Sequence, residues 1–316
     1  MTLRADDLID RRRLRRKLTF WRIAAIAVLL IGLAMLSAWY YRGGESTGVD
    51  HIAKIKIEGT ITQDDELIRR IEAVRKASHV KGVILLVNSP GGTTVGGETI
   101  YDAVRKLAAE KPVVTEVGTL AASAGYMIAS ASDYIVAHQT SIVGSIGVLI
   151  QYPDVTGLMD KIGVKLEEVK SSPLKASPSP FAPTTEEARA MVRKLIMDSY
   201  DWFVDIVAER RKLPRPQALA LADGSIFTGR QAVANKLIDA LGGEQEAVKW
   251  LGTKGVDEKL KVVEWKSTER SSLFLPNAMV RQIGRALGLP VESEEVLRQI
   301  GADRLFLDGL VSVWHP

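Results

Sequence analysis

The order of apolar and polar positions divides the chain into two regimes. Residues 23–41, IAAIAVLLIGLAMLSAWYY, run without a charge. As a helix this stretch covers about 28 Å, close to the hydrocarbon thickness of a bilayer. Trp21 stands at one end and Trp39, Tyr40 and Tyr41 at the other, where aromatic side chains favour the membrane interface. The cluster RRRLRRK at 11–17 precedes the run, and such clusters stay on the cytoplasmic side. The pattern predicts a basic cytoplasmic segment over 1–22, an uncleaved transmembrane anchor over 23–41 and a linker over 42–50. A cleaved signal peptide fits less well, because cutting after Ala38 would place Leu36 where a small residue is needed.

Beyond the linker, strand and helix periods alternate. His51–Gly59 (HIAKIKIEG) alternates apolar and polar residues as a half-buried strand does. Asp64–Ala77 places Leu67, Ile68, Ile71 and Val74 at helical spacing, and Gly82–Asn88 (GVILLVN) reads as a strand covered on both faces and closed by SPGG. A helix over Glu98–Lys111, a strand over Pro112–Gly118 and a small-residue helix over Ser123–Ala131 come next. Two short strands are expected at Tyr134–Ala137 and Ile146–Ile150. A Pro/Ser-rich loop spans 171–184, and a long helix then starts at Thr185, with Thr184 or Thr185 as cap and Glu186 and Glu187 in its first turn. The alternation predicts an α/β domain with a largely parallel sheet over 51–255. In the remaining extension, 256–316, the pattern supports one strand (Leu260–Trp265) and one amphipathic helix (Ala278–Leu287).

Charge and composition narrow the chemistry. The whole chain carries +4, but residues 1–42 hold nine Lys/Arg against three Asp, while the remainder holds 33 basic and 35 acidic side chains. Basicity therefore orients the chain at a membrane, and no nucleic-acid partner is expected. With no cysteine, disulfides, thiolate metal sites and a cysteine nucleophile are excluded together. His51, His79, His138 and His315 are too widely spaced for a local metal site, and neither metal nor cofactor is expected. The glycines of GGTTVGGET lack the Gly-Lys-Ser/Thr ending of a phosphate loop; a plain turn, or backbone amides facing a cavity, are the readings left for them.

Ser123 lies in AASAGY at the expected start of a helix. Small neighbours leave its hydroxyl accessible to a substrate, although such runs also serve close packing. A serine nucleophile needs a base, and His138 has no convincing acidic companion. Lys175 stands alone in an apolar, proline-rich stretch. Buried there, a lysine gives up its proton more readily and can act as a base; exposed, it is a solvated loop cation. Both readings remain open on composition.

Five segments taken together resemble the signal peptide peptidase A family, the serine–lysine peptidases of family S49. They are NSPGG at 88–92, AASAGYMIAS at 121–130, VGSIGV at 143–148, SSPLK…SP…TTEEARAMV at 171–192 and GSIFTGRQAVANKLIDALGG at 224–243. The resemblance covers roughly residues 50–250 and is to the short, single-copy form. It implies a crotonase/caseinolytic-protease-like βα superhelical domain behind a single N-terminal transmembrane helix. By position it implies Ser123 as nucleophile, Lys175 as general base, Ser145 as the residue that orients the lysine, and the amides of Gly92 and Ala124 as the oxyanion hole. Ala124 replaces the family's usual glycine, and KLIDALGG stands for the family's GLVDELGG. The resemblance further implies cleaved signal peptides as substrates, a homo-oligomer, and a catalytic domain on the periplasmic side of the bacterial inner membrane. Two other readings share the fold: a Ser–Lys protease acting on intact membrane or misfolded envelope proteins, and a crotonase-like acyl-CoA enzyme.

Overall fold

The computed structural model describes residues 20–35, 37 and 48–266, together with the backbone of 311–313. The chain divides into two units, Met1–Asp50 and His51–Pro316. In the first, residues 20–35 form helix α1, whose Ile26, Leu29, Leu30 and Leu33 are exposed. Among the described residues no helix is long and apolar enough to cross a membrane. Apart from Ser37, the rest of the expected anchor lies outside them, as do the segment 1–19 and the helix expected at Ala278–Leu287.

The second unit is built on strands β1 (His51–Ile61), β2 (Val80–Thr93), β3 (Val113–Ala122), β4 (Tyr134–Ala137), β5 (Ile142–Gly144), β6 (Ile226–Thr228), β7 (Ala240–Leu241), β8 (Val262–Glu264) and β9 (Val311–Val313). Among the described residues they form one sheet with the main order β6-β5-β3-β2-β1-β8, β4 and β7 branching from β3 and β9 from β2. Pairing is parallel except for β5 with β6 and β2 with β9. The connections include α2 (Asp65–Lys76), α3 (Thr94–Ala108), α4 (Ala124–Ser130), α5 (Thr156–Ile162), α6 (Glu186–Arg211), α7 (Arg215–Leu221), α8 (Gly229–Ala234) and α9 (Glu244–Thr253). This is the expected mixed α/β architecture.

Side-chain alternation along β1 and β2 feeds two cores. Ile55, Ile57, Val83, Leu85 and Val87 pack with Leu67, Ile71 and Val74 of α2, Ile100 and Val104 of α3, and Phe203 and Val207 of α6. The intervening Ile52 and Ile84 join Val114 and Val136 against Ala247 and Leu251 of α9. Each fully buried Val, Leu or Ile contributes about 1.5–3 kcal/mol. Burial on both faces explains why GVILLVN is continuously apolar. Asp64 caps α2 by accepting the N–H groups of Glu66 and Leu67, and Thr185 caps α6 by accepting that of Ala188.

Two expectations require correction near the end of the sheet. SPGG does not close β2; the strand continues to Thr93 because β1 runs alongside it, Thr60 pairing with Gly91 and Ile61 with Gly92. A Cβ on Gly92 would collide with the Ile61 carbonyl, so only glycine allows this pairing. The short strand expected at Ile146–Ile150 lies instead at Ile142–Gly144, where its backbone pairs with Leu120–Ala122. Beyond these, α3 starts at Thr94 rather than Glu98: Thr93 caps it by accepting the Gly96 N–H at 3.1 Å, and glycines in its first turn hide it from periodicity. The strand expected in the extension appears as β8, paired with β1.

Candidate active site

β3 forks. Its first half, Val114–Val117, pairs with β4, and its second half, Leu120–Ala122, pairs with β5. The fork brings the end of β3 beside Gly144, and Ser123 comes immediately after it. The Ser123 N–H donates to the Gly144 carbonyl at 2.8 Å, while its own carbonyl accepts from Met127 at 2.9 Å and starts α4. The chain turns from strand to helix at this one residue, with Ser123 at φ 58°, ψ −122°. Positive φ is costly for a residue with a Cβ, and such strain concentrates at functional positions. The Ser123 hydroxyl does not cap the helix, and the residue is 1% exposed.

Ser145 is placed by the same pairing. It comes directly after Gly144, has φ 52°, and its N–H donates to the Ser225 carbonyl at 2.7 Å. Ser123 and Ser145 are thus neighbours through one backbone hydrogen bond. Gly125, the residue after Ala124, packs against Ser89 of β2, three residues before Gly92. A Cβ on Gly125 would lie 2.8 Å from the Ser89 carbonyl oxygen and 3.3 Å from the Ser89 Cβ. Ala124 is fully buried and, as the first residue of a helix, has no intrahelical acceptor for its N–H.

The edge beside these residues carries an extended segment. β9 pairs antiparallel with β2, Gly91 opposite Val313, Gly92 opposite Ser312 and Thr93 opposite Val311. A short peptide strand therefore fits next to the Gly-Gly segment.

Lys175 stands apart. It lies on the surface of the 171–184 loop, where its N–H donates to Ser172 at 3.2 Å. No hydrogen bond joins it to Ser123 or Ser145 among the described residues. In the single chain it is therefore the exposed lysine of the two readings. Two apolar side chains of the same loop, Leu174 and Phe181, are exposed as well. His138 is also exposed, packs beside Gly243 and receives no role at Ser123. Among the described residues no cluster of three His, Asp or Glu is placed to hold a metal.

Sequence reasoning missed two polar features. Ser89, inside the quoted NSPGG, is fully buried and hydrogen-bonded, whereas only the glycines beside it drew attention. Lys54 of β1 reaches Glu116 of β3 at 3.0 Å and Glu244 of α9 at 2.8 Å. Burial pulls the Lys54 amine down, but hydrogen bonds to Glu244 and Glu116 outweigh it and raise the amine above its ordinary value. A Glu within the otherwise buried run VVTEVG was the available signal, since buried carboxylates need partners.

Comparison with known proteins bears on what this serine does. The family model for peptidase family S49 matches residues 105–257, and that for Clp protease matches residues 50–143. A protein of Methanocaldococcus jannaschii that carries a protease name is 39% identical over 222 residues, spanning 70% of this chain and 71% of its own length. Protease 4 of Haemophilus influenzae is 32% identical over 278 residues, 81% of this chain but only 45% of the relative. A protein of Enterococcus faecium that carries a signal peptide peptidase name is 33% identical over 249 residues, 74% of this chain and 72% of its own. Sheet and serine together fit a serine-type protease on a Clp-like fold. The chain belongs to peptidase family S49.

Proposed function

We propose that the chain is a membrane-anchored serine endopeptidase that hydrolyses remnant signal peptides at the outer face of a bacterial inner membrane. The observation that carries this reading is the union, at one strained turn, of Ser123 with an edge that accepts an extended peptide. In this reading the Ser123 Oγ attacks a peptide carbonyl carbon while Lys175, as a free amine, takes its proton. The amides of Gly92 and Ala124 hold the resulting oxyanion; one such donor is worth about 3 kcal/mol in the transition state. The C–N bond then breaks, and Lys175 returns its proton to the leaving amine. Water repeats the sequence on the acyl-enzyme and frees Ser123. Ser145 orients the Lys175 amine.

The exposed position of Lys175 adds a requirement. Its loop needs a cover that excludes water, and the exposed Leu174 and Phe181 of that loop suit a second copy of this chain. Homo-oligomerisation is thus part of the proposal. The basic residues at 11–17 and the apolar run at 23–41 support the anchor and its orientation, and the relatives' names support the substrate.

A synthetic signal peptide incubated with the full chain in detergent tests this. Cleavage should be abolished by Ser123→Ala, and specific activity should rise with protein concentration as copies associate. Cleavage that survives Ser123→Ala would remove the serine from the mechanism.

A further inference from the structure

Ser89 sits in β2 between Asn88 and Pro90, with 0% of its surface exposed. Its hydroxyl donates to the Gly59 carbonyl at 2.6 Å and accepts the Gly91 N–H at 3.1 Å. These bonds span an irregular stretch of the β1–β2 ladder. Glu58 pairs with Asn88, and the next pair is Thr60 with Gly91. Gly59 therefore faces both Ser89 and Pro90, which is a bulge, and a bulge re-aims the residues next to it in the strand. In β2 those residues are Gly91 and Gly92.

The same residue touches the other side of the site. Its carbonyl and Cβ close against Gly125, the neighbour of Ala124. One side chain thus holds the amide next to Gly92, while its own backbone limits how closely Ala124 approaches. No other described side chain has hydrogen bonds to the SPGG backbone.

We propose that Ser89 is a positioning residue that sets the separation of the Gly92 and Ala124 amides. This rests on the hydrolase reading above. Without the hydroxyl, the Gly91 N–H and the Gly59 carbonyl lose their shared partner, and the peptide planes around Gly91 relax. Oxyanion donors act only within about 2.7–3.1 Å of the charge they stabilise, so a small relaxation weakens the transition state more than the bound substrate.

The test uses the full chain with Ser89→Ala and Ser89→Cys, active sites being counted by burst titration with a fluorophosphonate. The expected result is a fall in kcat per titrated site of about tenfold for alanine, a smaller fall for the weakly hydrogen-bonding cysteine, and KM within about twofold. Affinity for a peptide aldehyde, which becomes an oxyanion on Ser123, should weaken in step with kcat/KM. If the alanine variant does not fold, the cysteine variant decides on the same readings. Unchanged kcat per titrated site, with only a lowered melting temperature, would overturn the positioning role. A wild-type protein that neither labels at Ser123 nor cleaves peptide would overturn the hydrolase reading itself.

Discussion

Replacing Lys54 by methionine tests the polar cross-link between β1 and β3, the strand that leads into Ser123. The Lys54 and Glu116 side chains are 15% and 10% exposed and 3.0 Å apart, whereas Glu244, 2.8 Å away, is 46% exposed. Methionine keeps the apolar stem and removes the ammonium. Glu244 turns to solvent, and losing that pair costs about 0–1 kcal/mol. Glu116 stays buried without a cation, and an orphaned buried partner costs about 3–5 kcal/mol. The expected loss in urea unfolding is thus about 3–5 kcal/mol, dominated by Glu116. Replacing both partners by apolar residues, Lys54→Met with Glu116→Leu, should recover most of it. The pH dependence has a definite sign. The folded Lys54 amine is raised above its ordinary value of 10.5, so its stabilisation is fully present below that pH and is lost only as pH rises through the folded value. A cost below about 1 kcal/mol, or a double variant no more stable than Lys54→Met, would mean that Glu116 does not depend on the Lys54 cation.

Three further outcomes concern single residues. Gly92→Ala drives a Cβ into the Ile61 carbonyl, so β2 must shift; stability should fall by about 1–3 kcal/mol and kcat by about 100-fold, read by melting and peptide hydrolysis. Tyr126→Phe removes the hydroxyl that donates to the Leu237 carbonyl at 2.8 Å in the core, and calorimetry should show a loss of about 1–2 kcal/mol. Burial also pushes that phenol above its ordinary value, so the Tyr126 loss should not vary with pH below the usual phenol range. Thr185→Ala frees the Ala188 N–H at the start of α6 and should cost about 1 kcal/mol in thermal unfolding.

How far the sequence is legible depends on the range of the forces involved. HIAKIKIEG announces a strand by alternation, and GVILLVN by an unbroken apolar run of the kind covered on both faces. AASAGY announces a strand–helix junction because its small residues permit close packing there. The continuation of β2 through SPGG depended on Ile61, some thirty residues away, and a local pattern of Pro and Gly reads more naturally as a turn. The strand at Ile142–Gly144 escaped for the same reason: its apolar content is no greater than that of Ile146–Ile150, and the partner at Leu120–Ala122 decides between them. The Lys54–Glu116 pair joins residues 62 apart, and only its buried glutamate left a trace. At the site, backbone pairing brings Ser123 beside Ser145, and Gly125, next to Ala124, packs against Ser89. Lys175 is tied to none of them by backbone pairing, because it stands on an exposed loop of the single chain.

Fluorophosphonate labelling of the full chain, with the modified residue located by mass spectrometry, shows whether Ser123 is the nucleophile. Wild type should be labelled on Ser123, Ser123→Ala should not be labelled, and Lys175→Ala should be labelled far more slowly than wild type. Equal labelling of all three proteins, or modification of any residue other than Ser123, would contradict that role for Ser123.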